Sequence, residues 1–320
     1  MIISLSLVYY LTGILLAGVA YLAFIDRSNP KRYLTSLFWG LYAASFLFDK
    51  IIPPMYMGIL AIAMAVIAGI GGVRTGSYDQ AGDEFRAARA RLLGNKLFWP
   101  ALLIPLITVI GTVGLKDVTI GGLALLDKSN VTLVSLGVAC VFAVLLAMAQ
   151  TKETAVNSVK ESRRLLDSIG WAAVLPQMLA TLGGLFAIAG VGQTVATLVS
   201  SAIPIDNRFA VVAAYALGMA LFTMIMGNAF AAFPVMTAGI GLPLIVNLHG
   251  GNPAVLAAIG MFSGYCGTLM TPMAANFNIV PAALLDLPDK NGVIKVQIPT
   301  ALILLTVNVF LMYFLVFAFK

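Results

Sequence analysis

Long apolar segments without internal charge recur along the whole chain, and they limit the fold more than any other feature. Many approach the roughly 20 residues that a helix needs to cross a bilayer. In lipid every backbone polar group must be bonded within the protein, so such segments fold as α-helices. The chain is 61% hydrophobic and only 10% charged, more apolar than a soluble domain. The sequence therefore predicts an all-α polytopic membrane protein.

The predicted architecture has about 8 transmembrane spans plus one re-entrant hairpin, and one of the spans is unwound mid-membrane. A short helical piece is expected to follow the sixth apolar segment and to end near residue 202. The apolar segments are expected at 3–25, 34–48, 55–73, 97–115, 131–149, 170–190, 209–226, 234–246, 254–285 and 298–319.

The positive charges indicate the orientation. Of the 19 Lys and Arg residues, 14 fall in loops that alternate with loops carrying the other five, Lys320 included. The positive-inside rule places the richer set in the cytoplasm. The N-terminus and the C-terminus are then both outside, in a multi-pass membrane protein. The same bias explains the net charge of +6 without nucleic acid as a partner.

The cytoplasmic loop from Lys152 to Gly170 has Lys and Glu spaced as on one helix. Two interpretations remain open for it. It is a helix lying along the membrane interface in contact with lipid, or a solvated connector whose Arg and Lys side chains reach water.

The apolar stretch Gly260–Leu285 contains an irregular centre. Pro272 lacks an N–H and its ring clashes with the carbonyl of Thr268, and the nearby glycines weaken the helix further. The helix is therefore predicted to unwind near residues 268–276. Irregular backbone at membrane depth is tolerated only where protein covers it or where it lines a wet cavity, which is typical of a transporter binding site.

A second irregular stretch is Met226–Pro234, which lies between two apolar arms and contains Asn228. The arms 209–226 and 234–246 are either two full spans or one re-entrant hairpin with its tip at 227–232. The second arm is short and is interrupted by Gly239, Gly241 and Pro243, which favours the hairpin (209–246).

Composition divides the chain into two halves. Residues 1–168 are mostly plain apolar helices and predict a scaffold with two amphipathic cytoplasmic loops. In residues 169–320, Gly, Pro, Thr and Asn become frequent inside apolar sequence, and this half is predicted to carry transport through the hairpin and the broken helix (254–285).

The sequence shows no catalytic signature, so an enzyme is not expected. All thirteen acidic residues lie in loops or at segment ends, which argues against a carboxylate proton relay. Recognition would use hydroxyls, amides, backbone dipoles and helix ends. No cofactor is expected; freed carbonyls suit a small coupling cation such as Na⁺, and H⁺ coupling stays open.

The order GGLFAIAG (183–190), MGNAFAAFP (226–234) and CGTLMTPMAANFNIVPAAL (266–284) resembles the second repeat of the ion transporter superfamily. That superfamily includes arsenite, citrate, dicarboxylate and gluconate carriers. Each repeat of such a carrier has a re-entrant hairpin with an Asn-containing tip, followed by a helix unwound at a Thr/Pro/Asn motif. The resemblance covers residues 170–320.

The resemblance and the two irregular stretches together nominate one set of substrate-binding or ion-binding residues: Gly227, Asn228, Gly267, Thr268, Thr271, Pro272, Asn276 and Asn278. Of these, Asn228, Thr268, Thr271 and Asn276 are expected to meet near the bilayer midplane, because both breaks expose backbone groups that lipid cannot bond.

Residues 1–168 depart from this pattern, since they show no hairpin and broken helix of their own. The chain also resembles a bacterial inner-membrane family within the superfamily, whose members are commonly encoded beside a smaller membrane protein. The resemblance thus implies a second membrane subunit that supplies the other inverted repeat. The expected function is that of a secondary active transporter (permease) subunit that moves a small, anionic metabolite by ion-coupled symport. The alternative is a structural or assembly subunit that does not transport.

Overall fold

The computed structural model describes residues 1–78 and 82–318, so Lys320, which entered the charge count, lies outside the described residues. Within that part, seven continuous helical runs are long and apolar enough to cross a membrane, and two shorter apolar helices accompany them. Some of these runs, such as Glu84–Gly114, join two or more of the helices and turns named below. The all-α polytopic membrane class is confirmed. The exact number of spans and the re-entrant hairpin stay predictions. The chain divides into two compact units, Met1–Gly170 and Trp171–Lys320.

The first unit is helical apart from one small hairpin. Its α-helices are α1 (Leu5–Ile25), α2 (Arg32–Leu47), α3 (Pro54–Gly69), α4 (Asp83–Leu93), α5 (Trp99–Val109), α6 (Val131–Thr151) and α7 (Ala155–Ile169). A 3₁₀ turn, Gly94–Phe98, joins α4 to α5, and a π-helical turn, Ile110–Gly114, follows α5. Strands β1 (Thr119–Ile120) and β2 (Leu123–Ala124) pair antiparallel in a hairpin that the sequence did not predict.

Small residues allow two helix pairs of this unit to approach closely. A Cβ at Gly13 of α1 would overlap the Leu47 side chain, and a Cβ at Gly111 would overlap Ser135 of α6. Such contacts are the usual means by which apolar helices pack in membranes, where lipid removes the hydrophobic drive between helices.

A buried polar cluster joins the start of the first interhelical loop to α7. We call it the Arg163 cluster: Asp26, Trp39, Tyr78, Arg163 and Asp167. The Arg163 guanidinium pairs with the carboxylates of Asp26 and, at 3.2 Å, Asp167. Trp39 Nε1 and the Tyr78 hydroxyl each donate to Asp167 at 2.7 Å.

The Arg163 cluster shows that one face of α7 is buried. Arg163 is 8% exposed and Asp167 is 4% exposed, so this face packs against protein, whereas Val156 on the same helix is 64% exposed. Whether the exposed face of α7 meets lipid or water stays a prediction. Burial pushes the pKa of Asp26 up, but hydrogen bonds from Ser28 and Arg163 outweigh it and hold that pKa below its ordinary value.

The second unit contains α8 (Leu175–Ile188), α9 (Val191–Ala202), α10 (Arg208–Met226), α11 (Ala229–Met236), α12 (Pro253–Leu269), α13 (Ile279–Leu284) and α14 (Gly292–Leu315). A π-helical segment, Thr237–Leu248, continues α11. The core of this unit forms where α10, the π-helical segment, α12 and the end of α14 meet, around Tyr215, Met219, Ile240 and Leu256. A 3₁₀ turn, Gly170–Ala173, precedes α8.

The Arg163 cluster gives a stability prediction. Arg163→Met should lower the free energy of unfolding by about 3–5 kcal/mol, because two buried carboxylates lose their counter-charge. Thermal unfolding of the purified protein in detergent measures the effect. The matched control is Arg164→Met, whose partner Glu161 is largely exposed and whose loss should cost about 1 kcal/mol or less. Equal shifts in the two variants would contradict a buried role for Arg163.

Candidate functional site

The first element of the site is the tip between α10 and α11. Helix α10 ends at Met226 and is capped by Gly227, whose φ of +71° lies in the left-handed region and whose N–H donates to the Thr223 carbonyl at 2.6 Å. The next residue, Asn228, caps the start of α11, and its Oδ1 accepts a hydrogen bond from the Phe230 N–H at 2.8 Å. The chain therefore reverses within two residues. Gly227 adopts the left-handed conformation, and Asn228 caps the next helix with its side chain.

The second arm is longer than the sequence predicted. Helical structure starts at Ala229 and runs without interruption to Leu248, through Pro234 and Pro243, instead of covering 234–246. Pro234 lies inside α11, whereas Pro243 lies inside the π-helical segment, where the wider hydrogen-bond pattern accommodates its missing N–H. Gly239 meets the backbone of Gly192 in α9, so the small residues serve close packing.

The second element is the break after α12. Residues 270–278 are irregular between the end of α12 at Leu269 and the start of α13 at Ile279, close to the predicted 268–276. The Asn278 Nδ2 donates to the carbonyls of Thr268 at 2.8 Å and Thr271 at 2.6 Å. One buried amide thus bonds two carbonyls at the interruption, and that of Thr271 also accepts a long hydrogen bond from the Ala274 N–H at 3.4 Å.

Two contacts join the tip to the break. The Thr271 hydroxyl donates to the Met224 carbonyl in the last turn of α10 at 2.8 Å. Gly227 lies so close to the unwound segment that a Cβ there would overlap the carbonyl of Met273. A third contact lies one turn earlier, where Gly267 of α12 packs against the backbone of Ala220 in α10.

A cavity of about 240 Å³ lies at this junction. The residues that line it come from the tip, the break, α12 and the first turns of α8: Leu175, Leu179, Gly227, Asn228, Ala229, Phe230, Tyr265, Thr268, Met273, Ala274, Ala275, Asn276 and Phe277.

The structure divides the nominated residues into two groups. Gly227, Asn228, Thr268 and Asn276 line the cavity. The other four contribute to the structure around the cavity. Thr271 and Asn278 bond backbone carbonyls, Gly267 packs against α10, and Pro272 lies in the irregular segment. That any of the eight binds a substrate or an ion stays a prediction.

Sequence reasoning missed the aromatic lining. Phe230, Tyr265 and Phe277 each lie within three residues of a nominated polar residue, and all three face the cavity. An aromatic residue in apolar sequence is as well suited to lipid or to a helix contact as to a cavity, so its position alone carried no signal.

The lining is uncharged. None of the described residues around the cavity is Asp, Glu, Lys, Arg or His. Over residues 1–78 and 82–318, no group of three His, Cys, Asp or Glu side chains is placed to hold a metal ion. Polar recognition of a bound molecule here would therefore rely on dipoles, including that of the N-terminal end of α11 behind Asn228.

Two buried oxygens beside the breaks have no partner within the described part of the chain. They are the Thr223 hydroxyl, one turn before the tip, and the Asn278 Oδ1, whose amide nitrogen is fully used. Buried polar atoms are nearly always bonded, so each of these can accept a further ligand.

Comparisons with known proteins add a family and nothing more specific. The family model that matches the chain is described as "Protein of unknown function (DUF979)" and covers residues 6–317. No curated protein and no solved structure gives a significant match to the chain.

The contact between the tip and the break can be tested with a pair of glycine variants. Gly227 and Gly250 share a φ of +71°, but a Cβ at Gly250 would meet no atom within 4 Å. Gly250→Ala should cost about 1 kcal/mol of stability through backbone strain alone. Gly227→Ala should cost about 1–3 kcal/mol more, because the Met273 backbone must move.

Thermal unfolding of both purified variants measures this difference. Equal losses would show that the tip and the unwound segment do not touch.

Proposed function

The chain belongs to the DUF979 family, whose description assigns no function, and we propose from its own geometry that it is a secondary active transporter (permease) subunit. It moves a small, anionic metabolite across the bacterial inner membrane by ion-coupled symport. The observation that carries the proposal is one cavity between a hairpin tip and a helix break, both with their backbone bonded by side chains.

The depth of the break supports transport. Helix α14 has 24 residues, about 36 Å, and is long enough to cross a bilayer. Its C-terminal end lies at the base of the hairpin, where the Asn252 N–H donates to the Val316 carbonyl at 2.7 Å. Further along, Ala301 packs in one cluster with Cys266, just before the break. Nine residues of α14 precede Ala301, so the break lies between the two ends of this helix.

The hairpin is proposed to be re-entrant on the same grounds. Its base residues are close, since the His249 ring bonds the Ile205 carbonyl at 2.7 Å, and its tip touches the break. Both arms are long enough to span a membrane. Nevertheless, the tip contacts the break, and the break lies within the length of α14. This contact favours a tip inside the membrane, in a protein of about 8 further spans.

Anion recognition rests on dipoles. The N-terminal end of α11 and the amides of Asn228 and Asn276 lie at the cavity, and N–H groups at a helix start favour negative charge. The coupling ion is proposed to be Na⁺, because the Thr223 and Asn278 oxygens are hard, uncharged ligands without a partner among the described residues. The family is proposed to belong to the ion transporter superfamily, because the hairpin tip at Asn228 and the break after α12 follow the order in which that superfamily carries them.

A second membrane subunit is proposed to cover the cavity. Phe230 is 66% exposed and Phe277 is 45% exposed within this chain, although both line the site. A carrier of inverted repeats needs a second hairpin and break, and residues 1–170 hold neither pattern in their described helices. The scaffold role of the first half and the transport role of the second follow from this arrangement.

Orientation is proposed with both termini outside, from the distribution of Lys and Arg. A cysteine appended after Lys320, in a variant with Cys140 and Cys266 replaced by Ala, should react with a membrane-impermeant maleimide added to intact spheroplasts. Labelling only after lysis would place the C-terminus in the cytoplasm.

Transport itself is tested by uptake of a panel of radiolabelled small carboxylates into cells with and without the chain. Asn228→Ala should raise the half-saturation concentration at least tenfold, about 1.4 kcal/mol, because a donor to the substrate is lost. Asn157→Ala is the matched control, since its amide bonds exposed Glu153 in the first unit. The variants should reach equal amounts in the membrane.

Uptake that is the same with and without the chain would favour the alternative, a structural or assembly subunit. Full uptake by the purified chain reconstituted alone as a monomer would contradict the second subunit and leave the transport proposal standing.

A further inference from the structure

The cavity is lined by two chemically different sets of residues. The polar set is Asn228 and Asn276, which carry amides, and Thr268, whose hydroxyl donates to the Tyr265 carbonyl at 2.6 Å. The apolar set is Phe230, Tyr265 and Phe277, which we call the aromatic wall, together with Met273, Leu175 and Leu179.

The aromatic wall is preformed by contacts among its own rings. Phe230 and Tyr265 meet edge to face, with centroids 6.2 Å apart at 86°. Tyr265 and Phe277 follow at 6.4 Å and 59°. The three rings come from α11, α12 and the unwound segment, so one surface spans both breaks. Rings that pack on each other form a row, whereas a cage for a cationic group needs rings on several sides of it.

We propose that this cavity selects small organic molecules with a flat or branched apolar body and a single polar head of at most one negative charge, and that Phe230, Tyr265 and Phe277 determine this specificity. The proposal rests on the proposed function and names its substrate class. The apolar body would lie on the aromatic wall and the head would meet the amides.

Charge and size both support this class. A dianion that entered the cavity would lose its hydration, and the lining offers dipoles but no cationic side chain to replace it. Two uncompensated charges in such a site cost binding free energy. An apolar body, in contrast, gains from each part of its surface that the wall covers. The volume of about 240 Å³ is below the 300–1,000 Å³ typical of drug-sized ligands, which limits the substrate to a small metabolite.

Direct binding tests the proposal without requiring transport. Equilibrium dialysis of the full chain in lipid nanodiscs, prepared together with any membrane subunit that co-purifies with it, would use four labelled probes. Benzoate has a ring and one charge, phthalate a ring and two charges, acetate one charge without a ring, and benzyltrimethylammonium a ring and a positive charge. Benzoate should bind at least tenfold more tightly than each of the other three.

Variants of the aromatic wall locate the effect. Phe230→Ala and Phe277→Ala should each weaken benzoate binding about five- to tenfold and bring its affinity close to that of acetate. The matched control, Phe262→Ala, removes an equally exposed ring from α12 that does not line the cavity and should leave binding unchanged.

The outcomes separate this inference from the proposed function. Phthalate or the ammonium probe binding as well as benzoate, no probe binding, or unchanged benzoate binding in both wall variants would each overturn the inference. Uptake that depends on the chain but prefers dicarboxylates would preserve transport and reject this substrate class. Selective benzoate binding without any uptake would reject transport and keep the inference.

Discussion

A backbone carbonyl that has lost its helical partner within a membrane must find another donor, since lipid offers none. In this protein the amide of Asn278 meets that requirement for Thr268 and gives Thr271 its shorter hydrogen bond. This side chain ties the end of the irregular segment back to the end of α12, and the Thr271 hydroxyl fixes the segment to α10. Because the segment is held in place, it can present Met273 to Gly227 and so bring the hairpin tip against the break.

The cavity follows from that junction. Its polar groups are those that a break and a tip expose, and its apolar side comes from aromatic residues next to them in the chain. A site built this way can orient a molecule through dipoles and select it by shape and charge, without a charged residue whose burial would itself be expensive. Two buried oxygens near the same region, those of Thr223 and Asn278, have no partner among the described residues.

In the first unit, buried polar groups are satisfied by ion pairs. Its Arg163 cluster buries one guanidinium between two carboxylates and adds donors from Trp39 and Tyr78. Every charge in the cluster has a partner, which is the condition under which buried ions are tolerated. Burial and the adjacent Asp167 carboxylate also raise the pKa of Tyr78 above its ordinary value, which keeps its hydroxyl protonated as a donor. The cluster makes α7 part of the packed unit.

The sequence by itself determined the membrane class, the position of the helix break and the polar residues around it. Those features follow from local chemistry, because apolar length requires helices, Pro272 removes a donor, and Gly227 permits a left-handed turn. The tertiary structure decided which residues share a space. It placed Asn228, Thr268 and Asn276 at one cavity, gave Thr271 and Asn278 to the backbone, and added the aromatic wall. It also extended the second arm through two prolines and buried Arg163. Contacts between distant segments set these outcomes, and a pattern along one chain does not contain them.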